Sequence, residues 1–312
     1  LVGSEMCIRD RHIGTFRAPS PGQAGTFDAA QEKLGYLLEL GVNVIKVMPL
    51  AEFPGELSWG YNPAHLFAVE SNYGGPAAFK RFVKAAHESG IAVVLDVVYN
   101  HAGGDFGDQS LYFFDRQDPA GGQRHSLYFT DVGHAGGLVF DFAKPEVRDF
   151  LIQNAKFFLT EYRVDGFRYD QVSVIDHDGA PEGWRFCQDL TSTVHAQRPE
   201  RLHHAEYWDV NPFIVAPRPV GAGFDTTLTD GVRMAIRDVI GNGSAPDERP
   251  LNMTALARSL WPEGFNESWR FVQGPENHDI VYRGREQRIA RLGDPVVEIL
   301  ACAESASSAR DQ

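Results

Sequence analysis

The 312-residue chain carries 29 basic and 42 acidic side chains, a net charge of −13. That balance argues against a nucleic-acid partner, which needs clustered Lys and Arg, and against an anionic membrane surface. The richest apolar run, Ile91 to Leu95, stops at Asp96, far short of the roughly 18 residues of a membrane span. Cys7, Cys187 and Cys302 are too few and too scattered for a disulfide framework or a metal site, so a cytoplasmic, reducing compartment is expected.

Strands and helices alternate along the chain. Residues 1–11 show no helix or strand period and are expected to lie outside the folded domain as a non-native segment. A first strand is expected at His12 to Phe16 and a helix over Ala29 to Leu40. Asn43 to Leu50 reads as a buried strand. Phe79, Phe82, Val83 and Ala86 then share one helical face, with Pro76 near its start and Gly90 past its end. Ile91 to Val98 is a strand that is apolar on both faces. A helix over Val147 to Leu159, a strand over Tyr162 to Tyr169 and a helix over Glu182 to Val194 follow. Shorter strands are expected at Leu202 to Tyr207, Phe224 to Leu228 and Trp269 to Val272.

Buried strands alternating with helices predict an α/β fold with a parallel sheet, and about seven strands fit a (β/α)8 TIM barrel that lacks its last unit. A doubly wound open sheet would favour a G-x-G-x-x-G loop after the first strand, and the sequence has none. The expected catalytic barrel spans 12–295, with its eighth strand due after Pro295. Residues 296–312, small and polar towards the end, are expected to be a non-native or frayed tail. The connection from 102 to 142 is long, Gly- and Asp-rich and without period. After the third strand of a barrel, such a loop rises over the active-site face.

Polar residues gather at the ends of four of these strands: Asp96, Asn100 and His101; Arg168 and Asp170; Glu206; and Asn277, His278 and Asp279. In a barrel these positions project to one rim, where side chains do chemistry. Asp170 and Arg168 are two residues apart and leave a strand on the same face, and a neighbouring cation favours the carboxylate form. Asp96 reads as a structural partner of the arginine. Asn100 reads as solvated, since the six to eight oxygens that calcium wants cannot be assembled around it.

The segments DVVYNH (96–101), GFRYD (166–170), AEYW (205–208) and ENHD (276–279), with WGYNP (59–63) and YGGP (73–76), resemble the ordered signature regions of the alpha-amylase family of glycoside hydrolases and transglycosylases. That resemblance implies that Asp170 is the nucleophile, Glu206 the general acid/base and Asp279 a third carboxylate that stabilises the transition state. It implies that Arg168 keeps the nucleophile ionised, that His101 and His278 bind sugar hydroxyls, and that Tyr61 is the platform under the sugar. It matches Asn100 to a position that helps bind calcium in some members, but the oxygens for such a site cannot be assembled here, so no metal or other cofactor is expected. The expected substrate is an α-glucan or maltooligosaccharide, cleaved with retention. HIGTF (12–16), LGVNVIKVMPL (40–50) and LDVVYNH (95–101) resemble the branching-enzyme, isoamylase-type and maltooligosyl-trehalose trehalohydrolase group. Asn277 and Tyr207 depart from the branching pattern, which favours hydrolysis. Glucan branching and a non-catalytic carbohydrate-binding barrel are the alternatives.

Overall fold

The computed structural model describes residues 6–103, 115, 126–243 and 249–279. Its centre is a sheet of seven parallel strands: β1 (Ile8–Arg11), β2 (Val44–Val47), β5 (Ala92–Val97), β9 (Gly166–Tyr169), β10 (Leu202–Ala205), β11 (Thr226–Leu228) and β12 (Phe271–Val272), adjacent in that order. Two short strands, β3 (Ala51–Glu52) and β4 (His65–Val69), pair separately as a hairpin. Parallel neighbours in chain order, joined by helical crossovers, are the topology of a β/α barrel, and these are seven of its eight strands. The eighth, expected after Pro295, lies outside the described residues.

Three of the crossover helices bury an apolar stripe of three or more residues. The first connection carries three short helices, α1 (Ile13–Phe16), α2 (Phe27–Gln31) and α3 (Leu34–Glu39). Between β2 and β5, α4 (Gly75–Glu88) buries Phe79, Phe82, Val83 and Ala86, the predicted face. Between β5 and β9, α5 (Pro145–Phe157) buries Val147, Leu151 and Ala155. Then come α6 (Val172–Asp178) and α7 (Glu182–Gln197), and between β11 and β12 α8 (Gly231–Gly243) and α9 (Met253–Ser259).

Three expectations are corrected. The first strand is Ile8–Arg11, within the segment assigned outside the barrel, and His12 to Phe16 holds the short helix α1 instead. This strand has no apolar signal because three of its four residues are charged. It is held by its pairing with β2 and by Asp10, whose carboxylate sits 3.0 Å from Lys46 Nζ. Secondly, Tyr162 belongs to a wide helical turn, Phe158–Tyr162, ended by Arg163 in the left-handed region (φ 58°), so the strand starts only at Gly166. Phe158, Leu159 and Tyr162 are buried at helical spacing, which a strand would have split between two faces. Thirdly, the long connection is not without period. It contains an antiparallel sheet of β6 (His101–Gly103), β8 (Gly137–Phe140) and β7 (Phe129–His134). Ala135 and Gly136, both at positive φ, make the two-residue turn between β7 and β8. This sheet fixes His101 at the barrel rim.

Gly166 opens β9, the strand that carries Arg168. A Cβ there would lie 2.3 Å from the carbonyl oxygen of Leu202 on β10. Neither backbone can yield without disturbing the central ladder. Gly166→Ala is therefore expected to lose about 3 kcal/mol in urea melts, and a loss within experimental error would contradict this packing.

Candidate active site

One guanidinium organises the rim. Arg168 lies on β9 with its side chain almost wholly buried, between Asp96 at the end of β5 and the turn that follows β10. Its Nη1 donates to Asp96 Oδ1 (2.5 Å) and Asp170 Oδ1 (2.8 Å), and its Nη2 faces Glu206 Oε1 at 2.5 Å. All three carboxylates are buried, at 4 % exposure or less. The parallel register makes this possible: Asp96 stands opposite Arg168 across β5 and β9, and Glu206 follows directly on β10. Asp96 is the structural partner expected of it.

The remaining oxygens are also held. Asp170 Oδ2 accepts from Asn100 Nδ2 (2.9 Å), and Glu206 Oε2 accepts from the Gln171 backbone N–H (2.8 Å). Gln171 takes left-handed backbone angles (φ 37°), unusual for a residue with a side chain, and this turn points its N–H at Glu206. Its side chain bonds His134 (2.7 Å). Sequence reasoning missed Gln171, because a backbone donor has no residue signature.

Asn100 overturns the solvated reading. It is fully buried, and its Oδ1 faces two donors of His101, the backbone N–H and ring Nδ1, each at 2.8 Å. That oxygen is therefore not free for a cation. Among the described residues no cluster of three or more His, Cys, Asp or Glu is placed to hold a metal ion.

Tyr61 lies beside this centre. Its hydroxyl is 2.9 Å from Asp96 Oδ2 and 2.7 Å from His278 Nε2, its ring stacks on His278 with centroids 5.6 Å apart, and it lies over the Arg168 guanidinium. His278 Nδ1 reaches Asp10 Oδ2 at 3.1 Å, so the unexpected first strand helps to seat a predicted site residue. Asp279 is at the rim but less tightly engaged. Its side chain is 45 % exposed, 3.6 Å from His278, and acts on Glu206 through its charge.

Three acids around one cation cannot all ionise without leaving excess buried charge. Burial pushes the Glu206 carboxyl up to about 7. Arg168 opposes that rise, while the charges of Asp170 and Asp279 add to it. Burial likewise raises Asp170 from the ordinary carboxylate range, against the pull of Arg168 and the Asn100 hydrogen bond. The arrangement thus offers a carboxylate whose two oxygens both accept hydrogen bonds, beside an acid that holds its proton near neutral pH. These are the two states that retaining glycoside hydrolysis needs.

Buried histidines shape the acid response of the whole domain. Burial lowers His101 to about 4 and His203 and His204 to about 3. Each contributes stability that is present above the unfolded value of about 6.5 and is lost as pH falls through the window to 4 or 3. Glu206 acts in the opposite sense: its folded value is raised, so its contribution is present at low pH and lost as pH rises towards 7. Near pH 5 the three histidines outweigh the raised Glu206 and Asp170 carboxyls, and stability should fall by on the order of 1–3 kcal/mol per pH unit of acidification. Urea melts at pH 7 and pH 5 test this, and equal stability at both would contradict it.

Residues 13–124 match the family model described as the alpha amylase catalytic domain. Over 239 residues, 74% of this chain and 38% of the relative, the chain is 36% identical to a malto-oligosyltrehalose trehalohydrolase of Saccharolobus solfataricus. Over 304 residues, 94% of this chain and 44% of the relative, it is 34% identical to a 1,4-alpha-glucan branching enzyme of Bacillus caldolyticus. The chain therefore spans about two fifths of the length of these curated relatives. A crystal structure of a candidate alpha amylase from Salmonella typhimurium superposes with a TM-score of 0.71 at 29% identity, covering 93% of this chain and 51% of that one. With the barrel topology, the family match and relatives along nearly its whole length in agreement, this chain belongs to the alpha-amylase family.

Proposed function

We propose that the protein is a retaining glycoside hydrolase that cleaves α-glucosidic bonds in glycogen- or starch-like polymers or maltooligosaccharides through a covalent glucosyl-enzyme. The observation that carries this reading is the shared fork of Arg168, whose two terminal nitrogens meet Asp170 Oδ1 at 2.8 Å and Glu206 Oε1 at 2.5 Å. In the proposed reaction Glu206 donates its proton to the leaving oxygen while Asp170 attacks the anomeric carbon. Water, deprotonated by Glu206, then displaces Asp170 and restores both groups. Asp279 stabilises the positive charge that develops on the sugar ring. Tyr61, His101 and His278 position that ring, and Arg168 acts through the carboxylates it holds.

Hydrolysis is favoured over transfer by Asn277 and Tyr207, which depart from the branching pattern, and by trehalohydrolase relatives at 36% to 40% identity. Maltooligosyl-trehalose is accordingly the first substrate to assay. Glucan branching is the second reading, supported by a relative that aligns along 94% of the chain. No helix among the described residues is long and apolar enough to cross a membrane. Cys187 is a buried thiol, in keeping with a cytoplasmic enzyme. Proton NMR of the first-formed sugar tests the mechanism: an α-anomer is expected, and an initial β-anomer would sink it.

A further inference from the structure

The side-chain amide of Asn100 can take only one orientation. Its Oδ1 receives the backbone N–H of His101, a donor that no tautomer or rotation can change. Its Nδ2 faces Asp170 Oδ2. Flipping the amide would set N–H against N–H at one end and oxygen against carboxylate oxygen at the other. The ring Nδ1 of His101 lies 2.8 Å from that same Oδ1, so Nδ1 must carry a proton. A neutral imidazole has one N–H, which leaves the lone pair on Nε2. That nitrogen is buried and, among the described residues, makes no hydrogen bond of normal geometry. Burial and the neighbouring His134, edge-on at 5.2 Å, both disfavour a second proton on the ring, while the Tyr61 backbone carbonyl favours one.

We propose that Asn100 is a positioning residue that sets two hydrogen-bonding states at once: Asp170 as an acceptor on both oxygens, and His101 with its proton on Nδ1 and its lone pair on Nε2. The inference rests on the reading of Asp170 as nucleophile. It goes further in assigning the direction of the hydrogen bond at His101, and in giving Asn100 a role in the ionisation of Asp170. One amide thereby couples the group that attacks the sugar to a group that orients it.

Two measurements test this. Long-range proton–nitrogen NMR of the 15N-histidine-labelled protein at pH 7, with His101 assigned by its loss in His101→Gln, should show the Nδ1–H tautomer. An Nε2–H tautomer or an imidazolium overturns the proposal, and this readout needs neither turnover nor an Asn100 variant. The second uses Asn100→Asp, which keeps Oδ1 for both His101 donors but sets a carboxylate oxygen against Asp170 Oδ2. Two carboxylates there would share a proton, while Arg168, Asp96 and Glu206 still face Asp170. The acid limb of kcat/KM on maltooligosaccharide should therefore move up by at least about one pH unit. That added charge would move the limb whatever Asn100 does in the parent, so Asn100→Ala, which removes the amide donor without adding charge, decides. Its limb should also move up, whereas a merely structural role would lower the melting temperature and leave the limb in place. A folded Asn100→Ala with an unmoved limb overturns the proposal. Failure of the underlying reading would look different: Asp170→Asn would keep its turnover whatever the state of His101.

Discussion

Asp170→Asn is expected to lower glucan turnover by at least about 10⁴-fold, the scale on which losing a nucleophile leaves only binding and electrostatics. Glucan binding should persist, because the change is nearly isosteric and Arg168 still meets an oxygen. Glu206→Gln should lose about 10² to 10⁴ on natural glucans, whose leaving oxygens need a proton. The two variants then part company on an activated glucoside. There the leaving group departs without protonation, so Glu206→Gln should still form the glucosyl-enzyme and Asp170→Asn should not. Azide should rescue Glu206→Gln by attacking that intermediate without a general base. Asp279→Asn should lower kcat more than it changes KM. If these residues were structural only, activity would fall in step with the folded fraction, so melts belong beside single-turnover rates. Asp170→Asn that melts normally and turns over near the parent rate would refute the assignment.

The second large effect is on stability. Arg168 is the shared partner of three buried carboxylates. Arg168→Met would leave them facing one another with no cation in the fork. Breaking a buried ion pair from one side costs about 3–5 kcal/mol, which lowers the melting temperature by on the order of 10 °C in a domain this size. The loss should shrink on acidification, because protonating the carboxylates removes the repulsion. Melts of parent and variant at pH 7 and pH 5 test this. A variant as stable as the parent at pH 7, or a deficit that grows at pH 5, would show that Arg168 is not the keystone of the cluster.

What could be read from the sequence follows from which physical signals are local. β2 and β5 were legible because buried parallel strands are largely apolar on both faces. α4 was legible because its stripe has helical period. Asp170, Arg168 and Glu206 were legible because register and strand spacing bring them to one end of the sheet. β1 was not, since Asp10 earns its place through Lys46 and His278, which are distant in the chain. The sheet of β6, β7 and β8 was hidden by its glycines. One of them, Gly137, is required because a Cβ there would meet the Ala102 carbonyl at 2.0 Å. Asn100 was visible as a residue but not as a contact: the partner that changes its meaning is Asp170, 70 residues on.

The most direct test of the central claim is chemical. Incubation with an activated deoxyfluoro-maltosyl fluoride, whose fluorine slows turnover of the glycosyl-enzyme, should leave a covalent sugar on the protein. Peptide mass spectrometry should place that sugar on Asp170. A sugar on any other residue, or cleavage of the reagent with no labelled peptide, would contradict a covalent mechanism through Asp170.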